Sequence, residues 1–253
     1  APPGGGEPHT SHMAPTANIV VQLLAGALSL ALYLPVLFWH KVGVALGGVM
    51  LNRALTASNA PPHLRVSARR LLLHDWAKLT LAELMPYARR WRDNNLRATL
   101  FGRVVARTPL PRWLPDACDD VEWRAAWRHH YRHSDHHREY FGDDGGHRGA
   151  VMSDGAVLEM AADWLGAEWG YDGRWPAAGA WRDYTSALHT MWWPSPRNRA
   201  VFILAMCVLG HGQDVPRATF DELCALRELT ASERAFMSAM REKYHTGEVT
   251  AAD

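Results

Sequence analysis

The sequence lacks the marks of several common protein classes. It has three cysteines in 253 residues, an odd number with no C-x-x-C pair. This argues against a disulfide framework and a zinc–thiolate site, and it predicts a reducing, intracellular compartment. The net charge is only +1, so no general attraction to nucleic acid is expected and no nucleic-acid surface is evident. An internal repeat and a glycine-rich phosphate-binding loop are also missing.

Strand-like patterning is missing too. No segment alternates apolar and polar residues with β-branched enrichment, which predicts an all-α protein. Four motifs of the form S/T/D-x-x-E predict helix caps in which side-chain oxygens satisfy free amide donors, and they start at Thr80, Asp119, Thr219 and Thr230. The predicted helices span 65–78, 80–92, 119–133, 154–169, 181–193 and 197–209, and two more begin at the last two caps.

The chain divides into a short N-terminal segment, one helical domain and a tail. Residues 1–17 lack apolar periodicity and are predicted to be disordered, residues 18–245 form the single domain, and residues 246–253 fray. Residues 19–39 carry no charge, and this length could span a bilayer, so a membrane anchor and a buried helix are both open interpretations. Gly43, Gly47 and Gly48, which follow, permit close approach of other helices.

The most informative residues are histidines and aspartates in four separate places. They are His40, the pair His74-Asp75, a cluster of five histidines between residues 129 and 137, and Asp163. Imidazole nitrogen and carboxylate oxygen are the ligands that divalent Zn, Mn, Mg or Fe take in proteins. No single stretch holds enough ligands for a closed site. Convergence of all four segments would hold one or two metal ions.

Within the cluster, adjacent histidines point about a hundred degrees apart on a helix, so we expect one of each pair to be a ligand. His129, His133 and His137 share a face if the helix continues, although Ser134-Asp135 would break it. The predicted ligands are His40, His74, Asp75, His130, His136, His137 and Asp163. The first two histidines and the two aspartates hold one metal, and the other histidines complete that site or hold a second.

Three further residues are candidates for catalysis. Lys78 lies four residues after His74, on the same face of the predicted helix, where it would neutralise a carboxylate or hold a phosphate oxygen. Glu159 lies four residues before Asp163, and two carboxylates at this spacing repel unless a cation lies between them. Glu159 or His133 is the expected proton acceptor.

The order of these residues loosely resembles the HD superfamily of metal-dependent phosphohydrolases. A closer resemblance, over about residues 38–170, is to an uncharacterised HD-like family, domain of unknown function number 5662. Its segments H-K-x-x-V, H-D-x-S-K-F, A-W-x-H-H-Y, N-P-H-H-x-E-Y and E-M-x-x-D-W correspond here to segments starting at His40, His74, Ala126, Ser134 and Glu159. Ala77 and Leu79 replace the usual Ser and Phe, and Ser134-Asp135 replaces Asn-Pro, but no candidate ligand is lost. The resemblance implies an all-α, HD-domain-like bundle with a metal site in its core.

The leading functional hypothesis is therefore a metal-dependent phosphohydrolase acting on a nucleotide or another phosphate ester. One alternative is a di-iron oxygenase or oxygen-binding protein, in which some of the twelve tryptophans line an apolar pocket. The other is a non-catalytic protein, membrane-attached or scaffolding, in which metal only braces the helices. The C-terminal helices carry no readable chemistry, and Trp192, Trp193, His189 and His211 are interpreted as packing or surface residues.

Overall fold

The computed structural model describes residues 15–98, 118–177, 191–213 and 215–245. These residues form eight α-helices and no strand, which confirms the all-α prediction. The helices are α1 (Pro15–Ala57), α2 (Ala68–Leu73), α3 (Leu81–Ala98), α4 (Asp120–His133), α5 (Asp154–Asp172), α6 (Pro196–Val208), α7 (Arg217–Cys224) and α8 (Ala231–His245). Short 3-10 helices lie at Trp76–Leu79 and Arg138–Phe141.

Helices α1 and α5 cross at glycines, as the sequence predicted for α1. A Cβ on Gly43 would collide with the carbonyl oxygen of Gly166, and a Cβ on Gly166 would collide with the backbone of Val44. A Cβ on Gly47 would lie 2.9 Å from the carbonyl oxygen of Ala162. Only residues without a side chain permit this separation, because the two backbones are in contact.

The core has two parts on either side of this crossing. The larger cluster packs α1, α5 and α6 together, and every side chain from Ala200 to Cys207 on α6 is buried. A smaller cluster joins the first half of α1 to α3 and α4 through Tyr33, Leu37 and Tyr87. The candidate ligands His40, His130 and Asp163 lie on α1, α4 and α5, which these clusters pack into the molecule.

Helix α1 is neither wholly buried nor free of the domain. It is long and apolar enough to cross a membrane. Only 22% of its most apolar stretch is buried inside the molecule. Its inner face, including Ala25, Tyr33 and Leu37, packs inside the molecule, whereas Leu23 and Phe38 on the outer face are exposed. The buried-helix interpretation therefore holds for one face only, and membrane attachment stays a prediction for the other.

The predicted helix over 65–78 is wrong, because it breaks at His74. Helix α2 ends at Leu73, and Asp75 takes the left-handed conformation with φ of 52° before the 3-10 helix begins. Residues other than glycine rarely adopt this conformation, and Asp is among those that adopt it most often. Because of this break, His74 and Asp75 lie in a bend between two helices and not on one continuous helix.

Two of the four predicted caps form, and two do not. The Asp119 side chain accepts from the Glu122 amide at 2.7 Å, and Thr230 and Glu233 exchange both bonds of a capping box. Thr219 lies inside α7, which starts at Arg217. The Thr80 hydroxyl instead donates to the Ala77 carbonyl. The carboxylate of Glu83, three residues later, contacts a histidine of α4.

Other sequence boundaries shift by a few residues. Helix α1 begins at Pro15, so the N-terminal segment is shorter than expected, and α3 and α5 continue to Ala98 and Asp172. The predictions for 1–14, 246–253, His189 and most of the helix at 181–193 lie outside the described residues. Trp193 packs against Phe202, His211 is buried and Trp192 is exposed.

Candidate metal centre

Four side chains from three elements converge on one point. His40 Nε2 lies 3.1 Å from Asp75 Oδ2 and 3.4 Å from Asp163 Oδ1. His74 Nε2 lies 3.1 and 3.2 Å from the same two oxygens. Tetrahedral zinc with bonds of about 2.0–2.1 Å separates its ligand atoms by roughly 3.3–3.4 Å. These four atoms, the first ligand group, therefore have spacings that suit one metal ion.

A second ligand group adjoins the first. Asp75 Oδ1 lies 3.3 Å from His130 Nε2 and 3.4 Å from His136 Nε2. The Nε2 atoms of His130 and His137 lie 2.9 Å apart. The four ligand atoms all lie within 4.8 Å of one another. The seven ligands predicted from sequence are thus all brought together, and which of them bind metal stays a prediction.

Asp75 belongs to both groups. Its Oδ2 atom faces His40 and His74, and its Oδ1 atom faces His130 and His136. Within the described part of the chain, neither Asp75 Oδ1 nor His136 Nε2 makes a hydrogen bond, although both are buried. Buried polar atoms almost always have a partner. Both atoms lie in the second ligand group, where a single cation would supply the missing partner. The unpartnered atoms therefore fit a metal ion in that group, and the spacings of the first group suit another.

Two buried carboxylates hold the imidazoles from behind. Glu159 Oε1 lies 3.1 Å from His74 Nδ1 and 3.4 Å from His136 Nδ1, so it contacts one histidine of each group. Glu83 Oε2 lies 2.9 Å from His130 Nδ1. A carboxylate at Nδ1 fixes the ring orientation and tautomer and directs Nε2 towards a metal. The sequence predicted that Glu83 caps α3. Its contact with His130 shows instead that its carboxylate orients an imidazole.

Electrostatic interactions favour the ionised carboxylates, and burial lowers the pKa of three candidate ligands, His40, His130 and His137. Burial would raise the pKa of Asp75, but the charges of His74 and Lys78 outweigh it and hold this pKa well below its usual range. The same balance, with His74 as the main opposing charge, lowers the pKa of Asp163. Burial and nearby Lys78 lower the pKa of His40 to about 4. Burial would lower the pKa of His74, but the charges of Asp75 and Asp163 outweigh it and raise this pKa well above 6.5. Ionised carboxylate and neutral imidazole are the forms that bind metal, so metal binding at His74 would release a proton.

Lys78 reaches the first ligand group by a route that the sequence did not predict. Because the helix breaks at His74, the two residues do not share a helix face. The 3-10 helix instead brings Lys78 Nζ into contact with Asp75 Oδ2 and to 3.4 Å from His40 Nε2. The ammonium also lies 5.6 Å from the centre of the Tyr87 ring. Lys78 is therefore a buried cation beside the candidate metal ligands.

His133 lies at the edge of the centre. Helix α4 ends at this residue, so His137 does not share its face, and the predicted break at Ser134 is confirmed. His133 is exposed, stacks on His129 with ring centres 4.1 Å apart and belongs to neither ligand group. It does line a cavity beside Asp75 and His136. Its role in proton transfer stays a prediction.

Arg70 was not predicted to take part. Its Nε atom lies 2.8 Å from Glu159 Oε2, and its Nη2 atom lies 2.6 Å from Asp135 Oδ1. These contacts join residues 65 and more positions apart in the chain, so no spacing pattern signals them. Arg70 thereby balances the charge of the carboxylate that orients two candidate ligands.

Two cavities of about 360 Å³ each border the centre and share no lining residue. The first, here called the polar cavity, is lined by Arg69, Arg70, Leu73, Asp75, Trp76, Ala77, His133, Ser134, Asp135, His136 and Glu159. The second, the aromatic cavity, contacts the centre at His40, His130, His137 and Asp163. Its remaining wall includes five aromatic rings. The centre is therefore accessible from two chemically different sides.

The described helices and the converged imidazoles and carboxylates define a helical protein with buried groups that could hold metal ions. A family model matches residues 35–198, which is more than half of the chain, and this chain belongs to that family, the family of unknown function DUF5662. This agrees with the closer of the two resemblances. None of the comparisons relates the chain to the HD superfamily. No curated protein and no solved structure matches it.

Proposed function

We propose that this protein is a metal-dependent phosphohydrolase with an HD-like dinuclear centre, acting on a nucleotide or another phosphate ester. The observation that carries the proposal is the position of Asp75, whose two oxygens face two separate ligand groups. A carboxylate shared by two sites is suited to a pair of metal ions, and such pairs stabilise both oxygens of a phosphoryl displacement. Donors rich in imidazole favour zinc or iron over magnesium.

The bound metals would lower the pKa of water and polarise the phosphoryl oxygen. The chain's own residues supply the other requirements. Glu159 and Glu83 hold His74, His136 and His130 in place, since their carboxylates occupy the Nδ1 atoms. Lys78 provides a cation beside the first ligand group for charge on the phosphate oxygens.

Hydrolysis also needs a proton acceptor. A water oxygen bonds to phosphorus, the bond from phosphorus to the leaving oxygen breaks, and the proton of the water must be removed. Glu159 is committed to Arg70 and to two imidazoles, so we assign it to positioning. His133 is exposed on the polar cavity, and histidine accepts protons near neutral pH. We therefore propose His133 as the acceptor.

The test is release of inorganic phosphate from a panel of phosphate esters, using the full chain loaded separately with Zn²⁺, Mn²⁺, Mg²⁺ or Fe²⁺. Elemental analysis should give two ions per chain, and His74→Ala should lose metal and turnover together. His147→Ala is the matched control, because His147 is exposed and stacks on Tyr140 away from the ligand groups. Turnover that persists in His74→Ala, or no turnover with any metal and ester, contradicts the proposal.

The imidazole-rich donors and the aromatic cavity also favour a second candidate, a di-iron oxygenase. The two candidates differ in their response to oxygen. Iron-loaded protein prepared without oxygen would change its visible absorption when oxygen is admitted, whereas a hydrolase needs no oxygen for turnover. Phosphate release at the same rate with and without oxygen supports the first proposal.

A further inference from the structure

The wall of the aromatic cavity contains aromatic side chains that the proposed hydrolysis does not use. Besides the candidate ligands, it is lined by the rings of Tyr87, Trp91, Trp123, Trp127 and Trp164, by Met160 and Ala167, and by the charged side chains of Lys78, Arg138 and Glu139. The polar cavity on the other side of the centre has one aromatic ring, Trp76, and two arginines. Water and phosphate oxygens are compatible with the polar side. The aromatic side is suited to a flat apolar group.

The aromatic wall is continuous with the ligands themselves. The Trp127 ring lies 5.5 Å from the ring of His130 and 5.2 Å from that of His137, centre to centre. The Trp123 ring packs edge-on against Tyr87 at 4.8 Å. A ring lying against Trp127 would therefore be adjacent to the candidate metal ligands.

One polar group in this wall has no partner. The Tyr87 hydroxyl is buried and makes no hydrogen bond within the described ranges of the chain, although the residue is only 5% exposed. A buried hydroxyl without a partner is costly. Burial, the largest influence, raises the pKa of Tyr87, so the phenol stays protonated. Because Tyr87 lines the aromatic cavity, an acceptor atom on a bound group would supply the missing partner.

We propose that the aromatic cavity binds the organic group of the substrate as a planar aromatic ring, with Tyr87 donating a hydrogen bond to an acceptor atom on that ring. This inference rests on the proposed function, because it supplies the part of the ester that leaves with the oxygen. The volume of about 360 Å³ is near the lower end of the range of roughly 300–1,000 Å³ for small-molecule sites. A cavity of this size holds one aromatic ring or nucleobase, so the group that we propose is an aryl group or the base of a nucleotide.

Phosphonates test this assignment without turnover, because their carbon–phosphorus bond survives. The full chain loaded with Zn²⁺ is titrated calorimetrically with phenylphosphonate, with methylphosphonate and with pyridylphosphonate, whose ring nitrogen accepts a hydrogen bond. We expect phenylphosphonate to bind about tenfold more tightly than methylphosphonate, because stacking of one aromatic ring contributes binding free energy of this order. We expect pyridylphosphonate to bind more tightly still.

The variants separate the two contacts. Trp127→Leu should abolish the preference for phenyl over methyl, and Tyr87→Phe should abolish only the added preference for pyridyl. Trp192→Leu is the control, because Trp192 is exposed and outside the aromatic cavity. Circular dichroism and zinc content establish that each variant is folded and loaded. Tyr87→Phe retains the ring, so it tests the hydroxyl even if Trp127→Leu does not fold.

Equal binding of phenyl and methyl phosphonates by the wild type would overturn the inference, as would an unchanged preference in folded Trp127→Leu. The proposed function fails separately. If ring preference is present but no ester releases phosphate, the cavity assignment stands and the hydrolase does not. If esters are hydrolysed without ring preference, the hydrolase stands and the cavity assignment is wrong.

Discussion

Gly43 of α1 and Gly166 of α5 meet backbone to backbone, and each lies three residues after a candidate ligand on its own helix. His40 and Asp163 are those ligands, and their Nε2 and Oδ1 atoms lie 3.4 Å apart. A Cβ on either glycine would collide with backbone atoms of the opposite helix. Backbone atoms cannot move aside as a flexible side chain can, so the crossing fixes the distance between the two ligands.

Replacing Gly43 with alanine should therefore push the helices apart. Overpacking typically costs roughly 1–3 kcal/mol, and we expect at least that loss in the free energy of unfolding, together with weaker metal binding. Gly26→Ala on the same helix is the control, since its Cβ would meet only the Met85 methyl at 3.5 Å. Alanine is favoured over glycine in a helix, so this variant should keep or gain stability. Urea unfolding and zinc titration measure both effects, and equal behaviour of the two variants would refute the argument.

The carboxylates behind the imidazoles should tune metal affinity without binding metal. Replacing Glu159 or Glu83 with glutamine removes the negative charge that holds His74, His136 and His130. Loss of such partners typically weakens metal affinity about 10–100-fold, and we expect this range from competition with a chelating dye. Glu222→Gln, at an exposed carboxylate paired with Arg199, should bind metal as the wild type does. An unchanged affinity in both buried variants would remove the positioning role.

A charge cluster remote from the centre should make stability depend on pH. Burial alone would raise the pKa of Glu233, but hydrogen bonds from Arg197, His63 and Thr230 outweigh it and hold this pKa well below its ordinary value of 4.5. The folded-state pKa is the lower one, so the stabilisation is present above 4.5 and is lost as the pH falls further. Urea unfolding from neutral to acid pH should show this decline, and Glu233→Gln should have less stability at neutral pH and a flatter decline. If the stability of the wild type and of the variant declined equally with falling pH, Glu233 would not be the source of the pH dependence.

The outer face of α1 should bind detergent or lipid. Leu23 is 68% exposed and Leu24 is 60% exposed, and continuous apolar surface of this kind marks a contact with protein or membrane. We expect the chain to float with lipid vesicles in a density gradient and the double variant Leu23→Gln, Leu24→Gln to float less. Val121→Gln with Val151→Gln removes exposed apolar side chains outside α1 and should change nothing. Wild-type protein that stays with the soluble fraction would favour a protein partner for this face.

The sequence identified the helical class and the candidate ligands, because both depend on local information. Helix-capping residues and missing strand alternation are properties of short windows, and the structure agrees in α4, α5 and α6. The ligands were recognisable by residue type alone, since few structures need so many histidines close together. Glycines in α1 likewise predicted a close approach without naming the opposite helix.

The tertiary structure decided which of these residues face one another and what supports them. The bend at Asp75 depends on a left-handed backbone conformation that no sequence pattern predicted. Glu83, three residues after Thr80, matched a cap motif, but a buried histidine from α4 takes its carboxylate instead. Arg70 and Tyr87 acquire their positions from helices far away in the chain. Sequence spacing specifies neighbours along one helix, whereas the contacts that orient a ligand come from packing between helices.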